Sequence, residues 1–237
     1  MKFQKTVLAV LALVVWPAFA ADEQWYQVEV IIFSQADRFS EETGRPNIKL
    51  GYPARLTDLD NDTTGAGFRR LDESAKQLKP DAYTLNETGV YKVLYHEVWQ
   101  QPGLAASHTP WLVIRGGKKI ADHHELEGSI RLYLSNYLLF ETNLWLTRTS
   151  PSIAAAQLPL PGLPANTGAA TTSYLTTEDL PRLPLTLTGE APADSTVAEN
   201  IDRIYTLKQG ERLKLGKLQY LDHPAMGVLI KVVRVPG

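Results

Sequence analysis

The stretch that most limits what this chain can fold into lies near its C-terminus, at 205–233. Alternating residues there flank Asp222-His223-Pro224. Proline ends a ladder because it lacks an N–H and restricts the residue before it. The pattern predicts a β-hairpin with a polar corner at Asp-His-Pro. Everything beyond 198 is shorter than the roughly 40 residues at which a domain folds without metal or disulfide, and the chain has no cysteine. The hairpin must therefore join a sheet built earlier in the chain.

That sheet starts at Trp25. Tyr26, Val28, Val30 and Ile32 share one face of a strand, and Gln27, Glu29, Ile31 and Phe33 share the other. Both faces turn apolar towards the end, which predicts a central strand. From 34 to 67 the composition is polar, and one short strand is expected near 54–56. Phe68, Leu71, Ala75 and Leu78 then recur at helical spacing up to Pro80, which predicts one amphipathic helix over 68–78. Strands are expected at 90–100, 111–115, 128–135 and 138–147. Only Asn136-Tyr137 separates the last two, too little for a crossover, so they should form an antiparallel hairpin. Ile130, Leu132 and Leu134 would face the core, and Arg131, Tyr133 and Ser135 would face outward.

The region 150–198 holds seven of the chain's 15 prolines, with no sustained period of 2 or 3.6. Such a composition buries too little to offset ordering entropy, so a mostly structureless excursion is expected. Within it, Leu158-Pro159-Leu160-Pro161 and Leu183-Pro184-Leu185 could lie down on the domain surface. The predicted class is α+β: a mainly antiparallel sheet with one amphipathic helix and a long proline-rich loop insertion at 150–198. Residues 21–237 would form a single domain.

Residues 1–20 read as a signal peptide. Lys2 and Lys5 precede an apolar run from Thr6 to Val15, and Ala18-Phe19-Ala20 offers a small-x-small cleavage site. The run falls short of the roughly 20 residues needed to span a bilayer, so no membrane span is expected. Absence of cysteine removes disulfides, thiolate metal sites and a lipid-modified cysteine, and fits a bacterial periplasm. With 24 Lys and Arg against 26 Asp and Glu, the chain has no electrostatic footprint for nucleic acid.

Catalytic and metal readings find little support. Asp122-His123-His124-Glu125 with Glu127 gathers five potential ligands. Adjacent histidines on a strand point to opposite faces, however, and no His-Glu-x-x-His spacing occurs. A solvated turn leading into a strand is expected there. Asp222-His223 lacks a Gly-x-Ser-x-Gly partner, so turn chemistry is preferred, with Asp222 bonding backbone N–H groups across the corner and His223 packing beside it. Gly116-Gly117 reads as a hairpin turn before Lys118-Lys119. No catalytic residue, metal ligand or cofactor is assigned.

What remains is a binding surface. Arg131 and Tyr133 on one strand, Tyr137 at the turn and Trp145 on the partner strand would present aromatic and cationic groups on a solvated sheet face. Aromatics stack on the C–H faces of sugars, and arginine can pair bidentately with the carboxylates of wall peptides. Packing of the same rings beneath the proline-rich loop is the alternative.

Four blocks in order also carry a family resemblance. They are Trp25-Tyr26-Gln27-Val28-Glu29-Val30-Ile31-Ile32-Phe33, Leu94-Tyr95-His96-Glu97-Val98-Trp99-Gln100-Gln101-Pro102, the run from Leu126-Glu127-Gly128-Ser129-Ile130-Arg131 to Tyr137-Leu138, and the C-terminal stretch around Leu221-Asp222-His223-Pro224. Together they resemble the CsiV family, named for cell shape integrity. The resemblance implies a periplasmic, non-enzymatic protein that binds peptidoglycan. It also implies a link to cell-wall synthesis by a class A penicillin-binding protein, through that enzyme's outer-membrane lipoprotein activator, LpoA. The chain departs from the family in three places. Glu211-Arg212-Leu213-Lys214 interrupts a denser basic run, Trp99-Gln100-Gln101-Pro102 stands for Trp-Arg-Gln-Pro, and Leu139 replaces a histidine. Fewer cations weaken the case for a patch on Arg212 and Lys214.

The expected peptidoglycan contacts are Arg131, Tyr133, Tyr137, Tyr220 and His223. Two other readings stand beside this one. A periplasmic adaptor would use the proline-rich loop or an exposed sheet edge, and a cell-wall hydrolase would use a carboxylate pair that sequence does not place.

Overall fold

The computed structural model describes residues 24–36, 49–62, 64–149, 175–188 and 200–236. The signal-peptide reading, and the parts of the proline-rich region at 150–174 and 189–198, lie outside the described residues. The strands form two five-stranded sheets. The first contains β1 (Trp25–Gln35), β3 (Arg69–Arg70), β4 (Tyr91–Pro102), β9 (Leu218–His223) and β10 (Met226–Arg234) in the order β3-β4-β1-β10-β9. The second contains β2 (Leu56–Thr57), β5 (Trp111–Ile120), β6 (His123–Leu134), β7 (Leu138–Thr149) and β8 (Ile201–Arg212) in the order β2-β5-β6-β7-β8. Every pairing is antiparallel except β2 with β5.

β1 is central, as its two apolar faces require, with β4 on one side and β10 on the other. Val28, Val30 and Ile32 enter the same apolar cluster as Leu112, Ile114, Ile130 and Leu144 of the second sheet. The two sheets therefore face each other across a shared core, in which each fully buried aliphatic side chain contributes about 1.5–3 kcal/mol. Ile31 and Phe33 point the other way, into a smaller cluster with Leu78. A buried polar link also crosses between the sheets. Trp99 Nε1 donates to Gln101 Oε1 at 2.9 Å, and Gln101 Nε2 donates to the Leu132 carbonyl at 2.9 Å.

Several local expectations need correction. The helix does not occupy 68–78. Arg69–Arg70 is the edge strand β3, Glu73–Ala75 is one 3-10 turn, and the helix α1 spans Lys79–Glu87 with Pro80 in its first turn. Proline read as a stop is here a start, because its missing N–H is one that no first helical turn uses. α1 is only weakly amphipathic. It has no fully buried residue and leans on the first sheet through the half-buried Ala82 and Leu85.

Gly116-Gly117 is not a hairpin turn either. β5 runs on to Ile120, and its register with β6 shifts between Gly116 and Lys119, a β-bulge. Gly117 has φ +74°, which favours glycine. A Cβ on Gly116 would fall 2.3 Å from the Leu94 carbonyl oxygen, so the backbones of β4 and β5 touch where the sheets meet.

The C-terminal stretch is divided between the sheets. Residues up to Arg212 belong to β8, and only β9 and β10 form the predicted hairpin, around Pro224 and Ala225. The chain crosses over at 213–217. Leu213 N–H donates to Leu138 of the second sheet at 2.9 Å, and Gly216 N–H donates to Val232 of the first at 2.7 Å. Within the proline-rich region, 175–188 is ordered rather than structureless. Thr177–Asp179 forms a 3-10 turn, and the short α2 spans Leu185–Thr188. Leu180 is buried against Trp145, Ile201 and Ile204 on the outer face of the second sheet.

Candidate functional site

The β6–β7 hairpin forms with its expected register, and Arg131 lies opposite Glu141. Arg131 Nη2 sits 2.6 Å from Glu141 Oε2, its Nε donates to the same oxygen at 3.2 Å, and Nη1 donates to the Ala106 carbonyl at 3.2 Å. The guanidinium carbon lies 4.6 Å from the centre of the Trp111 ring and 4.9 Å from that of Tyr133. Trp111 falls beside Arg131 because β5 and β6 pair Leu112 with Ile130, one step away. Tyr133 donates its hydroxyl to Glu141 Oε1 at 2.9 Å. Burial raises its pKa, and the hydrogen bond to Glu141 and that carboxylate's charge raise it further. The phenol therefore stays a neutral donor at physiological pH.

This geometry changes the chemistry expected of Arg131. Its fork already holds Glu141, so a ligand carboxylate would have to displace that partner. Arg131 instead fixes the aromatic pair, with a cation–π contribution of about 0.5–2 kcal/mol. The available cation is Arg212 on β8. Its guanidinium stacks on Tyr137 with Cζ 3.2 Å from the ring centre, and it has no carboxylate partner among the described residues. Tyr137, at the hairpin tip, is 49% exposed. The hairpin end thus offers Trp111, Tyr133, Tyr137 and Arg212, of which Trp111 was missed in the sequence and Arg212 was discounted; Glu141, which holds Arg131 and Tyr133, was missed as well. An aromatic one register step from an arginine was the available signal, but only the strand pairing reveals it.

Trp145 does not belong to this surface. It is fully buried, packed edge-on against Tyr52 with ring centres 4.9 Å apart. Tyr52 lies on residues 49–55, a strap that crosses the outer face of the second sheet before β2 joins its edge. Asn143 Nδ2 donates to the Gly51 carbonyl at 2.9 Å, and Arg115 pairs with Asp58 at 2.7 Å.

Tyr220 and His223 sit on β9, at the edge of the other sheet. Tyr220 donates to Asp222 Oδ1 at 2.6 Å and stacks on Phe33. His223 packs edge-on against Tyr205, and its Nδ1 accepts the Ala225 N–H at 3.2 Å. The corner N–H is held by His223, which packs as expected, rather than by Asp222, whose carboxylate takes the Tyr220 hydroxyl instead.

The solvated turn expected over Asp122 to Glu127 is confined to Ala121 and Asp122. The strand it leads into begins at once, and His123, Glu125 and Glu127 are buried in β6. Glu127 takes His123 Nδ1 at 3.0 Å and the His124 N–H at 3.0 Å. Glu125 pairs with Arg148 at 2.6 Å and Lys92 at 3.0 Å. Burial lowers the His124 pKa, Glu127 opposes this, and Arg115 and Lys119 reinforce it. His123 Nε2 is buried without a partner, so the His123–Glu127 dyad has no hydroxyl in hand to activate. Among the described residues no group of three or more His, Asp or Glu is placed to hold a metal ion.

The aromatic and cationic groups at the hairpin end form one partly exposed surface on the second sheet. The family model described as peptidoglycan-binding protein, CsiV, matches residues 3–235. The chain belongs to the CsiV family. No curated protein and no solved structure matches it. Among the described residues, no helix is long and apolar enough to cross a membrane.

Proposed function

We propose that this protein is a periplasmic, non-enzymatic accessory protein that binds peptidoglycan and supports wall synthesis by a class A penicillin-binding protein with its LpoA-like lipoprotein activator. The family match over nearly the whole chain supports the wall-binding part of this reading. The chemistry of the hairpin-end surface favours it as the contact. Tyr137 and Tyr133 offer ring faces or edges to sugar C–H groups, and Arg212 offers a cation to wall carboxylates. Tyr220 and His223 would form a separate contact on the first sheet.

The test is co-sedimentation of the purified protein with isolated sacculi, with the supernatant examined for released fragments. Pelleted protein without fragments is the expected result. Tyr137→Ala and Arg212→Ala should weaken pelleting, while Arg131→Ala should weaken it by disordering Trp111 and Tyr133. Released muropeptides would overturn the non-enzymatic reading, and normal pelleting of all three variants would move the contact elsewhere.

A second reading, a protein-binding adaptor, is favoured by β9. It is an edge strand with no partner on its outer side among the described residues, and Leu215, Leu218 and Tyr220 are exposed on or beside it. Such an edge can add an extended peptide as a further strand. Leu218→Lys would then abolish capture of the lipoprotein activator while sacculus binding persists. Capture by the variant at the parental level would exclude this edge.

A further inference from the structure

The outer face of the second sheet holds a feature that the hairpin-end surface does not use. Where β8 begins, a groove of about 280 Å³ opens between the sheet, the strap and the segment after residue 175. Leu50, Leu180, Ile201 and Ile204 line it with aliphatic side chains, and Lys49 and Asp179 add one charge of each sign. The Asp179 carboxylate caps its own 3-10 turn through Oδ2 alone, accepting the Thr176 N–H at 2.8 Å and hydroxyl at 3.2 Å. Lys49 is exposed.

The chemistry of this lining selects among ligands. Sugars need an aromatic platform or a dense set of hydrogen-bonding groups, and an aliphatic floor offers neither. Methyl groups suit it well. A cation and an anion on one short groove favour a ligand carrying both an ammonium and carboxylates. The volume lies near the lower bound of ligand clefts, roughly 300 Å³, which suits a few residues rather than a long chain. A peptidoglycan stem peptide has these properties. Its alanines supply methyls, and its diamino residue supplies an ammonium beside carboxylates.

We infer that this groove binds the peptide stems of peptidoglycan while the Tyr133, Tyr137 and Arg212 surface meets the glycan. The inference rests on the wall-binding reading. Position supports the division. Ile204 pairs with Thr147, and Arg131 pairs with Glu141 on the same strand. Six residues of strand at about 3.4 Å each place the groove and the aromatic surface about 20 Å apart on one sheet face.

The experiment uses purified protein, sacculi, and two soluble probes made from sacculi with an amidase: free stem peptides and peptide-free glycan strands. The wild type should pellet with sacculi, stem peptides should compete it off, and calorimetry should show stem-peptide binding. Lys49→Glu and Leu175→Asp, both at exposed positions, should weaken stem-peptide binding roughly tenfold or more. They should leave glycan-strand binding and the melting curve unchanged. If the protein pellets but stem peptides neither compete nor bind, the groove assignment fails and the wall-binding reading stands. Equal stem-peptide affinity in the variants also overturns the groove, as it would if another part of the chain fills it. A wild type that stays in the supernatant overturns both.

Discussion

On the outer face of the first sheet, Ile31 and Phe33 are packed under Leu78 and the half-buried side of α1. Glu29, buried there, accepts the N–H groups of Gln77 and Leu78 and bonds to His96, all at 2.8 Å. On the outer face of the second sheet, Tyr52 of the strap 49–55 packs on Trp145, and Glu127, Ser129 and Thr147 are buried on the same face. Ser129 Oγ, Trp145 Nε1 and Thr147 Oγ1 are buried there without a protein partner. Buried polar groups are almost always satisfied, so the two covers differ in how their polar atoms are held. One is closed by hydrogen bonds within the protein, and the other buries polar atoms that have no protein partner. The second cover borders both the aromatic surface and the groove. Hydrogen exchange should show the backbone amides of 49–57 opening faster than those of 77–85, and the reverse order would dissolve the contrast.

The largest expected effect strikes the strand that carries the site. Gly128 on β6 has φ +130°, and a Cβ there would lie 2.2 Å from the Asn143 carbonyl oxygen. Neither strain has a flexible side chain to absorb it. Gly128→Ala should cost more than about 4 kcal/mol or prevent folding, read from denaturant unfolding. A cost under about 1 kcal/mol would show that β6 and β7 can shift past each other, and the second sheet would then be looser than described.

Next comes the seal of the first sheet. Glu29→Ala strands two backbone N–H groups and the His96 ring, and should cost about 2–4 kcal/mol. Glu29→Gln keeps an acceptor and should recover part of it. If Glu29→Ala proved as mild as a surface change, the 77–78 segment would be satisfied by water, and the two covers would be alike.

Acid should act on both sheets with the same sign. Burial alone would raise the Glu29 pKa, but the bonds from His96, Leu78 and Gln77 hold it below its ordinary 4.5. Burial likewise opposes Asp62, whose bonds from Thr64, Thr57, Gly67 and Phe68 hold it below 3.8. Depressed carboxylates stabilise the fold above their unfolded values, and that contribution is lost as pH falls through the folded ones. His124, held below 6.5 mainly by burial, takes its proton first in the unfolded chain. Stability should therefore begin to decline below about pH 6.5 and fall further below about 4.5. His124→Gln should flatten the upper step alone, in melts recorded from pH 7 to 4. A melting temperature unchanged between pH 7 and 5 would sink the assignment.

Much of this fold was legible because strand alternation is local. β1, the β6–β7 hairpin and the β9–β10 hairpin follow from period-2 patterns and from turn residues at Asn136 and Pro224. What escaped was set by partners distant in sequence. Apolar residues at helical spacing, Phe68 to Leu78, were filling two different clusters, and Pro80 began the helix it was expected to end. His123, Glu125 and Glu127 looked solvated because nothing local says that Lys92 and Arg148 will neutralise Glu125. At the hairpin end the sequence named Arg131, Tyr133 and Tyr137, but the sharing of Glu141 and the stacking of Arg212 on Tyr137 depend on three strands meeting in register. Tyr220 and His223 were grouped with them although the chain crosses to the other sheet between Arg212 and Leu218.

The smallest expected effect tests the comparison most directly. Thr147 is buried on β7, and its hydroxyl has no protein partner. Valine has nearly the same shape, and β-branched residues suit a strand equally well. If the hydroxyl is simply stranded, Thr147→Val removes a desolvated polar group and should be neutral or stabilising by up to about 1 kcal/mol. If an ordered water completes it, the same change expels that water and leaves its other partners unpaired, costing about 1–2 kcal/mol. Solvent completion of the second cover requires the second result, accompanied by faster exchange in the strap. A stabilised Thr147→Val with unchanged exchange would mean a dry cover, as closed as that of the first sheet, and the groove beside it would be a fixed cleft rather than the rim of an adaptable surface.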